Sequence, residues 1–168
     1  MAEWPETALA SGFEGGIYMT KVSFRGPMAF EGTTDSGHRV MMDAAGEVGG
    51  ENRGVRPMEL VLVALGGCTG MDVVSILNKM RVAYTAFDIE INATRRSEHP
   101  KVYREIDLVY RIEGEEAASD KVVRAVQLSQ ERYCSVSAML AQSAVINVEI
   151  VFNGETIGSL HYERPSPS

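Results

Sequence analysis

Cysteine is scarce in this chain. Its 168 residues hold two, Cys68 and Cys134, separated by 134 − 68 = 66 positions, with no C-x-x-C motif. That spacing excludes a dense disulfide scaffold and a thioredoxin-type motif. Histidine is scarce too: His38, His99 and His161 sit in scattered strand or turn positions. A structural zinc site wants four ligands at close spacing, so no metal is expected. Positive charge is in deficit, with 16 Lys and Arg against 23 Asp and Glu and a net charge of −7. The sign argues against nucleic acid as a partner, which needs an excess of Lys and Arg, and an anionic membrane surface would repel the chain. Long hydrophobic runs are missing as well. The longest, residues 60–65, falls far short of the roughly 20 residues that span a bilayer, so no membrane partner is expected. The opening Met1-Ala-Glu-Trp-Pro-Glu shows neither a basic n-region nor an apolar h-region. The expected location is the cytoplasm, where both thiols rest reduced and a bond between them is transient and catalytic.

What is present fits one compact domain over residues 15–162, with a flexible arm at 1–14 and a disordered tail at 163–168 rich in Pro and Ser. Hydrophobic residues at 45% and charged residues at 23% give an ordinary globular balance, enough to build a core without staples. Residues 16–44 pattern as a β-meander, with turn chemistry at Gly26-Pro27 and Asp35-Ser36-Gly37. Four glycines in residues 45–56 predict a mobile loop, a candidate lid. Residues 57–81 predict a long helix opened by Pro57 and apolar on several sides. Gly66-Gly67 at its middle implies that a partner helix or a substrate comes close to the backbone. Residues 87–93 and 102–112 alternate as a hairpin. Ser119 caps a helix to about Tyr133, and Ser135 or Ser137 caps a short one through Gln142. A strand at 144–152, the turn pair Asn153-Gly154 and a strand at 156–162 complete the order. Strands and helices come in blocks, so the class is α+β.

Chemistry centres on the two cysteines. Free cysteine often does no more than pack in a core. Against that, Cys134 lies at a helix junction, where unpaired backbone N–H groups favour a thiolate. One thiolate can attack the O–O bond of a peroxide, and a second thiol can condense with the resulting sulfenic acid. Asp72 lies four residues past Cys68 on the same helical face. It reads as a solvated or dimer-contact acid or as an acceptor near the thiol, and an acid there disfavours a thiolate at Cys68.

The stretch Arg56-Pro-Met-Glu-Leu-Val-Leu-Val-Ala-Leu-Gly-Gly-Cys68-Thr-Gly-Met resembles the central-helix motif of the OsmC/Ohr family, the osmotically inducible and organic-hydroperoxide-resistance proteins. Cys134-Ser-Val-Ser-Ala-Met resembles the family's second motif, and Gly-Gly-Cys-Thr-Gly-Met looks like its general branch. The resemblance implies an OsmC-like fold, antiparallel sheets wrapped around long central helices in an intertwined homodimer. It implies a thiol-dependent peroxidase that reduces organic hydroperoxides, with Cys68 peroxidatic and Cys134 resolving. No cofactor is implied beyond an external dithiol reductant. Arg25 is the best match for the family's thiolate-holding arginine, with Arg39 and Arg56 as competitors. In the hydroperoxide-resistance branch of the family the glutamate directly follows the motif proline, whereas here Met58 does and the acid is Glu59, about 100° further round the helix. Glu59 therefore either orients Arg25 or is a helix-start acid. The alternative on the same fold is a non-redox protein that binds a small hydrophobic ligand.

Overall fold

The computed structural model describes residues 19–162, so the expected arm at 1–14 and tail at 163–168 lie outside the described residues. The chain forms two compact units, one ending at Glu59 and one beginning at Leu60. In the first unit, β1 (Lys21–Phe24), β2 (Phe30–Thr33) and β3 (Arg39–Met42) form an antiparallel meander in sequence order. Phe24 and Phe30 face each other across β1 and β2, with ring centroids 5.5 Å apart in an edge-to-face arrangement.

The glycine-rich segment after β3 is not the mobile loop that its composition predicts. Asp43 is 2% exposed, and its carboxylate accepts backbone N–H bonds from Ala44, Glu51 and Arg53 at 2.8, 3.1 and 3.0 Å. These bonds draw the segment into a knot around one side chain. Two of its glycines are there for close approach. A Cβ on Gly50 would strike the Ala44 carbonyl, and one on Gly54 would strike the carbonyl of Met41.

Helix α1 (Pro57–Lys79) starts where the proline and the acid at its third position specify. The Glu59 carboxylate accepts the backbone N–H of Arg56 at 2.9 Å, the reciprocal half of a capping box. Leu65, Thr69, Val73, Ile76 and Leu77 form its buried stripe, at spacings of a single helical face. By length and apolar composition alone α1 is also long enough to cross a membrane, although no unbroken apolar run in it is. Its other face leaves Val63 62% and Met71 76% exposed.

In the second unit, β4 (Tyr84–Arg95) and β5 (Tyr103–Gly114) form the expected hairpin. Period-2 alternation buries Ile106, Leu108, Tyr110 and Ile112 on one face of β5. The chain then passes through α2 (Ser119–Leu128), a π-helical turn (Ser129–Tyr133) and α3 (Ser135–Leu140) before β6 (Val145–Phe152) and β7 (Glu155–Tyr162). The sheet order is β4-β5-β6-β7. It is not antiparallel throughout as expected, because β6 pairs parallel to β5. The helical segment between them supplies the long crossover that a parallel pair needs. Asn153 and Gly154, at φ of 51° and 85°, form the predicted tight turn into β7.

Candidate functional site

Folding brings together the two sulfurs that are distant in the chain. Cys68 Sγ, Cys134 Sγ and a carboxylate oxygen of Asp72 all lie within 4.8 Å of one another. Cys68 and Asp72 share a face of α1 because residues four apart stack along a helix. Cys134 arrives from the other side, at the end of the π-helical turn. Such wide turns recur at functional sites because they re-aim side chains. This one ends with the Cys134 N–H bonded to the Ser129 carbonyl at 2.8 Å.

Neither serine caps α3 as expected; Cys134 does so itself. Its sulfur accepts the backbone N–H of Ser137 at 3.4 Å. Ser119 is likewise the first residue of α2 and not its cap, because a short 3₁₀ turn at Glu116–Ala118 leads directly into the helix. The helix junction does not favour a Cys134 thiolate on balance. Burial pushes this thiol up, against the opposing pull of the Ser137 hydroxyl and backbone N–H, and the neighbouring Cys68 pushes it further. At 2% exposure, desolvation outweighs both effects of Ser137.

Behind the thiols lies a buried network of polar groups. Thr69 Oγ1 is 2.6 Å from Tyr110 OH and 2.8 Å from Ser129 Oγ. Gln130 Nε2 donates to Thr69 Oγ1 at 2.9 Å and to Tyr110 OH at 2.7 Å. Ser129 Oγ reaches Asp72 Oδ2 at 3.2 Å. Valence fixes the direction of these bonds. The Ser129 hydroxyl donates to Asp72 Oδ2 at 3.2 Å and, at 3.4 Å, to the Thr69 carbonyl, which can only accept. The lone pairs of the Ser129 hydroxyl then receive Thr69, and Thr69 receives Tyr110 and Gln130. The hydroxyls thus form one oriented chain, Tyr110 to Thr69 to Ser129 to Asp72. Burial drives the Tyr110 phenol far above its ordinary range, and this keeps it a donor.

Arg25 and Glu59 belong to the first unit. The Arg25 guanidinium pairs with Glu31 at 2.9 Å, and Arg39 lies 3.9 Å from the same carboxylate. Arg56 bonds to Asn52 and to the carbonyls of Asp43 and Gly54. Glu59 is the helix-start acid, bonded to the Arg56 backbone, and makes no pair with Arg25.

Sequence reasoning missed Thr69, Tyr110, Ser129 and Gln130. Thr69 directly follows Cys68, and Ser129 lies five residues before Cys134, but only the packing of α1 and the π-helical turn against β5 brings Tyr110 to Thr69 and Gln130. As metal ligands, Cys68, Asp72 and Cys134 are one donor short of the four that a structural zinc site uses.

Two concave surfaces flank α1 within the second unit. One, about 460 Å³, is lined by Asp72, Ser75, Ile76, Lys79, Met80, Leu128 and Tyr133, on the same helical face as Cys68. The other, about 680 Å³, runs between α1 and β4. There a Cβ on Gly66 would come within 3.1 Å of Ile91 and one on Gly70 within 3.3 Å of Ile89, whereas Gly67 faces open space. The close approach expected at Gly66-Gly67 is thus made by a strand at Gly66.

Residues 49–149 match the family model described as OsmC-like protein. Over 119 residues the chain is 40% identical to Protein YhfA of Escherichia coli strain K12, covering 71% of this chain and 86% of that one. A hypothetical protein from Aquifex aeolicus VF5 has a crystal structure that matches with a TM-score of 0.67 at 32% identity, over 82% of this chain and 98% of the other. An organic hydroperoxide resistance protein from Legionella pneumophila shares the fold with a TM-score of 0.60 at 12% identity, over 81% of this chain and 97% of the other.

Proposed function

We propose, because the chain belongs to the OsmC-like family, that it is a thiol-dependent peroxidase for organic hydroperoxides, with Cys68 as the attacking thiol and Cys134 as the resolving one. The observation that carries this reading is the approach of the two sulfurs to within 4.8 Å from 66 residues apart. A disulfide has its sulfurs about 2 Å apart, so closure needs an approach of at most about 3 Å, within reach of side-chain rotation. Roles follow from exposure. Cys68 is half-buried and open to a small reactant, whereas Cys134 is buried and held protonated until a partner appears beside it. Several of the relatives bear the name organic hydroperoxide resistance protein, which supports the substrate class.

The cycle balances in three steps. The Cys68 thiolate attacks the distal oxygen of ROOH, breaking the O–O bond. It becomes a sulfenic acid, and the alkoxide takes a proton and leaves as ROH. The Cys134 thiol then condenses with the sulfenic acid, forming the disulfide and releasing water. An external dithiol reduces that disulfide by exchange and is itself oxidised. The cytoplasm, a reducing compartment, is the setting that sustains it. Arg25, whose guanidinium is oriented by Glu31, is the cation assigned to the Cys68 thiolate. The exposed apolar face of α1, with Val63, Met71 and the concave surface beside β4, is the face assigned to a second copy in a homodimer.

Consumption of cumene hydroperoxide with a dithiol tests the reading. Cys68→Ser is expected to fall to the uncatalysed rate, and Cys134→Ser, before any dithiol is added, to consume one equivalent and hold Cys68 as the sulfenic acid. Full activity in Cys68→Ser overturns the assignment.

A further inference from the structure

Resting on that reading, we infer that Asp72 is the proton-transfer residue of the resolving step, taking the Cys134 proton as the disulfide forms and delivering it to the departing oxygen of Cys68. The geometry carries the inference. One carboxylate oxygen lies within 4.8 Å of both sulfurs, and the condensation must move a proton from one of them to the oxygen carried by the other. A base needs hydrogen-bond reach to the proton it takes, directly or through one water, and a separation of up to 4.8 Å is spanned by one bridging water or a small side-chain rotation.

The buried network gives Asp72 a fixed place. Ser129 holds Oδ2 from behind, at the end of the oriented chain that begins at Tyr110. Its outlet is on the other side. Asp72 lines the 460 Å³ cavity together with Lys79 and Tyr133, which gives the carboxylate an opening large enough for water. The groups beside the carboxylate are therefore the two thiols and the Ser129 hydroxyl, and the titratable residues that share its cavity are Lys79 and Tyr133.

The step is atom-balanced. Cys134 S–H loses its proton to the carboxylate, and its sulfur attacks the Cys68 sulfur. The S–O bond breaks, and the leaving hydroxide takes the proton from Asp72 and departs as water. Asp72 ends as it began. Need for a base follows from the burial of Cys134, which keeps its thiol protonated where a free thiol would begin to ionise. The same negative charge acts against the first step, because a carboxylate beside Cys68 disfavours its thiolate. Removing the charge therefore has opposite effects on the two steps, a signature that structural damage does not produce.

The experiment uses the full chain in chelated buffer and one equivalent of cumene hydroperoxide. Quenching with dimedone at intervals and mass spectrometry follow the Cys68 sulfenic acid as it forms and disappears. In Asp72→Asn the sulfenic acid is expected to form as fast as in the parent or faster. Its conversion to disulfide is expected to slow by about 100-fold, the lower end of general base effects. Closure in the variant then depends on free Cys134 thiolate, so its rate climbs about tenfold per pH unit below the ordinary thiol pKa of about 8.5, whereas the parent changes much less. Ser129→Ala, which keeps the carboxylate and removes its anchor, is expected to slow closure by about tenfold. Closure at the parental rate and pH dependence in Asp72→Asn overturns the inference and leaves the peroxidase intact. No sulfenic acid in either protein overturns both.

Discussion

Two aspartates, one in each unit, show how the same side chain serves opposite ends. Asp43 is buried, and its carboxylate is taken up by the N–H groups of Ala44, Glu51 and Arg53. Asp72 is half-buried and, among the described residues, receives one hydrogen bond, from Ser129, while two thiols lie within 4.8 Å. A carboxylate offers about four lone-pair sites. At Asp43 most are committed to backbone, so the group is a staple. At Asp72 most remain free, so the group can exchange a proton. Acceptor capacity left unused beside reactive atoms distinguishes a chemical carboxylate from a structural one.

The comparison is broken most forcefully at Asp43. Asp43→Asn places an amide donor against N–H donors and is expected to release residues 44–53. The readout is tryptic cleavage after Arg53, expected to be faster in the variant than in the parent. Asp72→Asn, by contrast, keeps an acceptor for Ser129 and is expected to change stability by less than about 1 kcal/mol in a denaturant titration. Comparable destabilisation by both substitutions would erase the distinction.

A second test bears on the network that anchors Asp72. Thr69→Val removes the hydroxyl that Tyr110, Ser129 and Gln130 share and leaves the buried Tyr110 O–H without the acceptor it has there, although Gln130 still donates to the phenol oxygen. The expected cost is about 1–3 kcal/mol of unfolding free energy, larger than that of Asp72→Asn.

Acid and alkali separate the two regions further. The Arg53 N–H bond, more than any other group, holds the Asp43 carboxyl below its ordinary value, aided by Ala44, Glu51 and the Arg53 charge against the opposing effect of desolvation. A depressed carboxyl stabilises the fold above its unfolded pKa and loses that contribution as pH falls through the folded one. Hydrogen exchange at Glu51 and Arg53 is therefore expected to accelerate in acid. The second unit responds to alkali. Burial raises Cys134 and Tyr110, and it raises Tyr162 to about 12. Each favours the protonated folded state, so stability declines once the unfolded thiol and phenols ionise, from about pH 8.5 upward. Melting temperature against pH checks this, and Cys134→Ser is expected to remove the earliest part of the decline.

Much of this architecture was legible in the chain. Pro57, the stripe of α1, the alternation of β4 and β5 and Asn153-Gly154 are local signals, and each named its element. The parallel pairing of β5 with β6 was not legible, since alternation carries no direction. Composition does not reveal the order of the segment after β3, because Gly50 and Gly54 serve close contact with backbone at Ala44 and Met41 and not freedom. The thiol pair was found through its two motifs. Its protonation was not, since the burial of Cys134 is a property of the packed whole. Asp72 was visible as the acid four residues past Cys68, but its approach to Cys134 needed the π-helical turn.

The central claim meets its most direct test in a peptide map. The protein is treated with one equivalent of organic hydroperoxide, alkylated and digested without reduction. A single species joining the Cys68 and Cys134 peptides, lighter than their sum by the mass of two hydrogen atoms, is the expected result. Recovery of both peptides fully alkylated, from protein that has been exposed to the peroxide, would contradict it.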